Sequence, residues 1–315
     1  MTGIFDKVKG AFARLSLGLA SAAFAIGVAS AATEQKQPSF ATPDEAASAL
    51  VQAVKAGNKS RALAILGPGS GQWMSSGDAV RDRAANEGFV ASYDQKHALV
   101  PDGDARAMLT VGTDDWPFAF PLVKADGRWR FDTAAGKDEM LARRIGKNEL
   151  DAIDVMLAIV DAQREYASVD RDGNRALEYA KKFASSAGKH DGLYWPVKAG
   201  EPDSPLGPLI VQASGEGYKK QKGPTPYHGY YFRMLKGQGP AARGGALDYV
   251  VRGRMIGGFA AIATPAKYGN SGVMSFIVNH DGVVYQKDLG PQTATRAAAI
   301  TTFDPGEGWT AVPAK

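Results

Sequence analysis

The chain has 315 residues, a formal net charge of +4 and no cysteine. The missing thiols exclude disulfides, thiolate catalysis and cysteine-ligated zinc, and acidic residues interspersed among the basic ones leave no basic stripe for nucleic acid. The length exceeds one typical core and suits two domains.

Lys7, Lys9 and Arg14 precede an uncharged, apolar or small run over residues 15–28. Ala29-Ser30-Ala31 then presents the small-x-small pattern read by signal peptidase, so residues 1–31 are expected to be a cleaved export signal that delivers the chain to the periplasm. The run is shorter than the roughly 20 residues that span a bilayer, so no stable membrane insertion is expected after cleavage. The competing reading is a membrane-retained N-terminus. Loss of Lys7, Lys9, Arg14 and Asp6 with the signal lowers the formal charge from +4 to +2.

Residues 32–41 are polar and read as a flexible leader. Thr42-Pro43-Asp44-Glu45 starts a helix, with Thr42 as cap, Pro43 in the first turn and Glu45 completing a capping box. Ala46, Leu50 and Val54 fall on one face, and Gly57-Asn58 ends the helix. Further helices are expected over residues 60–66 and 78–87. Residues 97–100, 107–111, 118–124 and 129–132 read as short strands, the last two joined by a tight hairpin turn at Asp126-Gly127. Helices followed by an antiparallel meander resemble the nuclear-transport-factor-2-like fold. That fold curls a sheet around a helix and often leaves a pocket.

Residues 138–167 form the longest helical stretch. Gly146 is expected to divide it and to mark the boundary between domains over residues 42–146 and 147–315. Leu150, Ile153, Leu157 and Val160 recur at helical spacing and predict its core face. Asp170-Arg171-Asp172-Gly173-Asn174 breaks the helix, residues 175–185 read as a second short helix, and residues 186–226, rich in Gly, Pro and Ser, as a long ordered loop. Strands are expected over residues 227–235, 248–254, 259–265, 274–279 and 283–288, with a turn at His280-Asp281-Gly282. A long helix followed by such a meander resembles the globular part of pilins and pseudopilins, although the corresponding helix here is internal and amphipathic. The predicted class is α+β, with two domains that each pack helices on an antiparallel sheet.

Trp116-Pro117-Phe118, Gly127-Arg128-Trp129-Arg130-Phe131-Asp132, Gln163-Arg164-Glu165-Tyr166-Ala167, Asp191-Gly192-Leu193-Tyr194-Trp195-Pro196 and Tyr227-His228-Gly229-Tyr230-Tyr231-Phe232 are specific stretches. With them the chain resembles, over almost its whole mature length, a bacterial family, the domain of unknown function family 2950. The resemblance implies an exported, two-domain protein and supplies no reaction.

The four histidines, His97, His190, His228 and His280, show no metal-ligand spacing. His228 is expected in an aromatic strand, where alternation places it with Tyr230 and Phe232 on one face and sets Tyr227, Tyr231 and Arg233 on the other; a half-buried, satisfied histidine is the bland alternative. Asp170, Asp172 and Asn174 resemble the opening of a calcium loop, in which oxygen ligands alternate; the alternative is a solvated turn, and no other cofactor is implied. Tyr194 and Trp195, among the prolines of residues 191–209, would build a binding groove or subunit contact, or would cover a sheet edge. Trp116 and Trp129, with Trp73 and Phe118, would line a pocket in the first domain. Together these features point to a noncatalytic binding or assembly protein of the cell envelope. Its partner would be another envelope protein or a small ligand, held by apolar contact and a few directed hydrogen bonds. The alternatives are an envelope hydrolase using His228 with Asp191 and Asp172 as acid or base, and an accessory subunit of a pilus or secretion system.

Overall fold

Thr42 Oγ1 accepts from the backbone N–H of Glu45 at 3.1 Å, as the expected capping box requires, and the Glu45 carboxylate accepts from Ala41 N–H at 3.0 Å, one residue before the cap, so the chain enters helix α1 (Pro43–Lys55) through a displaced box. The computed structural model describes residues 36–171, 173, 175–219 and 223–313. The export signal over residues 1–31 and the first part of the leader lie outside the described residues. Asn58 caps α2 (Lys59–Leu66), a single turn follows as α3 (Gly71–Met74), and Asp78 caps α4 (Ala79–Gln95), which runs two turns beyond the expected 87. No helix of the described residues is long and apolar enough to cross a membrane.

The first sheet comprises β1 (His97–Pro101), β2 (Arg106–Val111), β3 (Trp116–Pro117), β4 (Leu122–Ala125) and β5 (Arg128–Phe131), in the order β1-β2-β4-β5 with β3 also on β2. Asp126 and Gly127 both take positive φ, 53° and 72°, which fits the tight hairpin turn between β4 and β5. Helix α5 (Thr133–Tyr166) follows, capped by Asp132, and is one unbroken helix of 34 residues. Gly146 does not divide it. A single exposed glycine costs a helix about 1 kcal/mol relative to alanine, and packing on either side outweighs that. At its start Gly136 lies so close to the Phe120 ring that an added Cβ would overlap it.

The predicted core face of α5 needs correction. Leu150 is 56% exposed and Leu157 37%, whereas Ala152, Val155, Met156, Ile159 and Val160 are buried. The stripe is rotated toward the small Ala152, on the side where the helix lies against the second sheet.

No helix forms over residues 175–185. Buried Gln163 captures that segment instead: its Nε2 donates to Ala180 O and its Oε1 accepts from Ala180 N–H, both at 2.8 Å. Tyr179 N–H donates to Met255 O at 2.8 Å, which holds the chain extended. The long loop contains α6 (Gly207–Gly215), begun by a proline in its first turn.

β6 (Tyr230–Leu235), β7 (Gly237–Gln238), β8 (Leu247–Asp248), β9 (Val250–Val251), β10 (Arg254–Met255), β11 (Ala260–Pro265), β12 (Met274–Asn279), β13 (Tyr285–Asp288), α7 (Thr293–Ala299) and β14 (Thr310–Ala311) complete the chain. The second sheet is antiparallel, in the order β14-β13-β12-β11-β6. The protein is therefore α+β. Its largest apolar cluster joins α5 to this sheet, and two smaller ones lie between α1, α4 and the first sheet. All described residues fall in one compact unit, Gln35–Lys315.

Candidate functional site

A cavity of about 670 Å³ opens between α1, α2, α4 and α5. Its apolar wall includes Leu50, Val54, Leu63, Phe89 and Phe118, residues that three helices and the entry to β4 bring together. Helix α5 supplies a different wall. Met140, Arg143, Arg144, Lys147 and Asn148 line the cavity at spacings of three and four, one face of a helix.

Two of these side chains also fix the architecture. The Arg144 guanidinium donates to Trp73 O at 2.8 Å, to Met74 O at 2.9 Å and to Asn270 Oδ1. Burial lowers the pKa of Arg144 from the usual arginine value, partly offset by the charge of Asp82. Asn148, fully enclosed, donates to Ser271 O at 2.9 Å. The cavity thus sits where α5 passes from one sheet to the other.

Arg81 lines the cavity and pairs with Asp151, which leads into a second group of ionisable residues around buried His228. Here the sequence expectation for His228 fails. β6 starts at Tyr230, and His228-Gly229 is a two-residue turn closed by Tyr227 N–H to Tyr230 O at 2.8 Å and Tyr230 N–H to Tyr227 O at 3.0 Å. Both turn residues have positive φ, 50° and 77°. Such turns match the twist of the flanking strands, so the strand alternation stops short of His228. The ring is 6% exposed and stacks on Tyr227 at 4.0 Å. Its Nε2 lies 2.6 Å from Glu216 Oε2, and its Nδ1 faces Asp151 Oδ2 at 3.3 Å without hydrogen-bond geometry.

Asp78 locks this turn to α4. It accepts from Val80 and Arg81 N–H at 3.1 Å, from Tyr218 Oη–H at 2.7 Å and from Gly229 N–H at 3.0 Å. His228 N–H donates to Tyr218 Oη at 3.2 Å. Burial and the bond to Asp78 push the Tyr218 phenol far up. Burial, followed by the charges of Glu216 and Asp151, pushes the Tyr227 phenol up to about 12. Burial opposes ionisation of Glu216, but its hydrogen bonds with His228 and Gln212 and the charges of His228 and Arg81 outweigh it, so its carboxyl sits below the ordinary value.

A family model described as "Protein of unknown function (DUF2950)" matches residues 37–312. The chain belongs to this family. No curated protein and no solved structure matches it. In this DUF2950 chain the cavity and the His228 group both fall inside the matched span.

The other residues singled out in the DUF2950 sequence are scattered. Trp116 is 60% exposed, with the Arg143 guanidinium 5.2 Å above its ring, and Trp129 sits at the sheet edge beside Phe40. Neither lines the cavity; Phe118 does, and buried Trp73 stacks on Phe120. Trp195 is buried in the largest core, stacked on His190 at 4.3 Å with Arg171 5.1 Å over its face, and Tyr194 beside it donates its N–H to Phe183 O. Tyr230 is fully buried and donates to Met274 O at 2.9 Å.

Asp191 bonds to Lys182 at 2.8 Å and accepts from Ser186, contacts that hold its carboxyl down at about 2. It lines a separate depression of about 330 Å³ with His190 and Arg171. Of the calcium candidates, Asp172 and Asn174 lie outside the described residues; Asp170 accepts from Gly173 and Arg175 N–H at 2.9 and 2.7 Å. Among the described residues no group of three or more His, Cys, Asp or Glu is placed to hold a metal. The cationic stripe on α5 escaped the sequence reading, although Arg143, Arg144 and Lys147 carry it in plain helical spacing. So did Asp151 and Glu216 as neighbours of His228, which no sequence spacing signals.

Proposed function

We propose that this protein is exported to the periplasm and serves there as a noncatalytic binding factor of the cell envelope, holding a small apolar ligand in the cavity beneath α5. The observation that carries the reading is the cavity itself. About 670 Å³ of space with largely apolar walls and a few polar groups falls within the usual range of ligand sites. Helices packed on an antiparallel sheet support a nuclear-transport-factor-2-like origin for residues 42–146. Helix α5 followed by a five-stranded antiparallel sheet supports a pilin-like body for residues 147–315.

A hydrolytic reading draws on one specific feature, the meeting of His228 with Glu216 and Asp151. It is the weaker, because the imidazole is sealed beneath Tyr227 and is 6% exposed, so a substrate has no path to it. The test is direct. Protein recovered from the native envelope should begin near Ala32 and carry an extractable small molecule detectable by mass spectrometry. The Ala85→Trp variant, which fills the cavity mouth from an exposed position, should lose that molecule. Undiminished loading of Ala85→Trp would sink the cavity as the binding site, and a mature chain that retains Met1 would sink the export.

A further inference from the structure

The wall that α5 presents is unusual for a structural cavity. Positions spaced three and four apart on a helix facing the interior are normally apolar. Here Met140 is followed by Arg143, Arg144 and Lys147. The cavity is lined by five cationic side chains and one carboxylate, Asp82.

Two of the cations are neutralised from outside the wall, Arg81 by Asp151 and Arg143 by Glu139 at 2.7 Å. Lys59, Arg144 and Lys147 are not matched in this way. Arg144 uses three of its five N–H groups on the oxygens of Trp73, Met74 and Asn270, neutral acceptors that leave two donors unspent, while the charge of Asp82 acts on it without an ion pair. Asp82, the carboxylate in the wall, is turned to Ser75 Oγ and Ser76 N–H. Lys147 stands 3.7 Å from Asp151, which already holds Arg81, and remains 66% exposed. A partly buried guanidinium with no carboxylate in contact is costly. An anion that fills the gap recovers that cost through charge-assisted hydrogen bonds. One turn of helix separates Arg144 from Lys147, so both reach one group.

Resting on the cavity as the binding site, we propose that its ligand is a single-chain amphiphile with an anionic head. The head lies against Arg144 and Lys147, and the tail runs along Leu50, Val54, Leu63, Phe89 and Phe118. The chemistry recognised is one apolar chain and one carboxylate or phosphate; a neutral or cationic head leaves the α5 charges uncompensated.

Calorimetric titration of the mature protein at pH 8 with dodecanoate, dodecyl phosphate, dodecanol and dodecyltrimethylammonium tests this. The two anions should bind at least about tenfold more tightly than dodecanol, a difference of about 1.4 kcal/mol, and the cation most weakly. Lys147→Gln, at an exposed position, should narrow the gap between the anions and dodecanol. Arg144→Gln should act in the same sense; because Arg144 also holds the turn at Trp73, its titration is read beside a melting curve. Dodecanol binding as tightly as dodecanoate would overturn the anionic head and leave the cavity standing. Failure of every twelve-carbon chain to bind would overturn the cavity reading itself.

Discussion

Replacing Asp78 by alanine removes one carboxylate and four hydrogen bonds. Two of these cap α4, and such a cap contributes about 1 kcal/mol. The other two come from half-buried Tyr218 Oη–H and enclosed Gly229 N–H, and bonds to a charged acceptor contribute about 1.5–3 kcal/mol each. Losing both leaves two donors unanswered, so the expected loss is about 4 kcal/mol, a large share of the roughly 5–15 kcal/mol typical of a folded protein. At about 2–4 °C per kcal/mol for a chain of this size class, the melting temperature should fall by roughly 10 °C. Asparagine keeps an oxygen for the α4 amides but turns its NH2 toward Gly229 N–H and forfeits the charge, so Asp78→Asn should cost about 2–3 kcal/mol. Urea unfolding followed by circular dichroism measures both. The bond from Tyr218 is isolated by a double-mutant cycle with Tyr218→Phe, whose losses should combine less than additively, with a coupling of about 0.5–3 kcal/mol. An Asp78→Ala protein within 1 kcal/mol of wild type, or an Asp78→Asn protein as damaged as the alanine variant, would refute the reasoning.

The remaining predictions concern pH and packing. Glu216 has a folded pKa below its unfolded value of 4.5, so its contribution is present above that value and is lost as pH falls through the lower, folded one. The stability gap between wild type and Glu216→Gln, measured by unfolding at steps from pH 6 to 3, should therefore close on acidification; a gap that widens contradicts the assignment. Two glycines of α5 should respond oppositely to alanine. Gly136→Ala drives a methyl into the Phe120 ring and should cost about 1–3 kcal/mol, whereas Gly146→Ala, with open space around it, should stabilise by up to about 1 kcal/mol. Equal effects at the two positions in thermal melts would mean that α5 does not press on the sheet as described.

Local chemistry was legible in the sequence wherever a few adjacent residues decide the backbone. The cap at Thr42, the Asp126-Gly127 turn and strand β12, whose bounds were predicted to the residue, all belong to this kind. Errors gathered where distant partners override local preference. Residues 175–185 read as helical until buried Gln163 takes both backbone groups of Ala180. His228 read as a strand residue because Tyr227, Tyr230 and Tyr231 favour strands, yet the His-Gly pair takes the left-handed φ of a hairpin turn. Helical spacing placed Val160 correctly on the buried face of α5, but it also placed Leu150 and Leu157 there, where the small Ala152 is buried instead. Of the site, Phe118 and His228 were legible; the carboxylates around His228 come from α5 and from the end of α6, and nothing in one dimension aligns them.

Helix α5 has a mechanical consequence. With 34 residues it extends about 50 Å; in its first half Arg143 donates to Pro117 O of β3, and its second half packs on β11 and β12. A rod anchored at both ends transmits tilt instead of absorbing it. The cations that face the cavity lie just ahead of the point where the rod passes between the sheets, with Arg144 gripping the turns at Trp73 and Asn270 on either side. A ligand in the cavity would press on the rod about 8 Å by the helical rise ahead of Glu149, the residue that holds the start of β12 through Val273 and Met274 N–H.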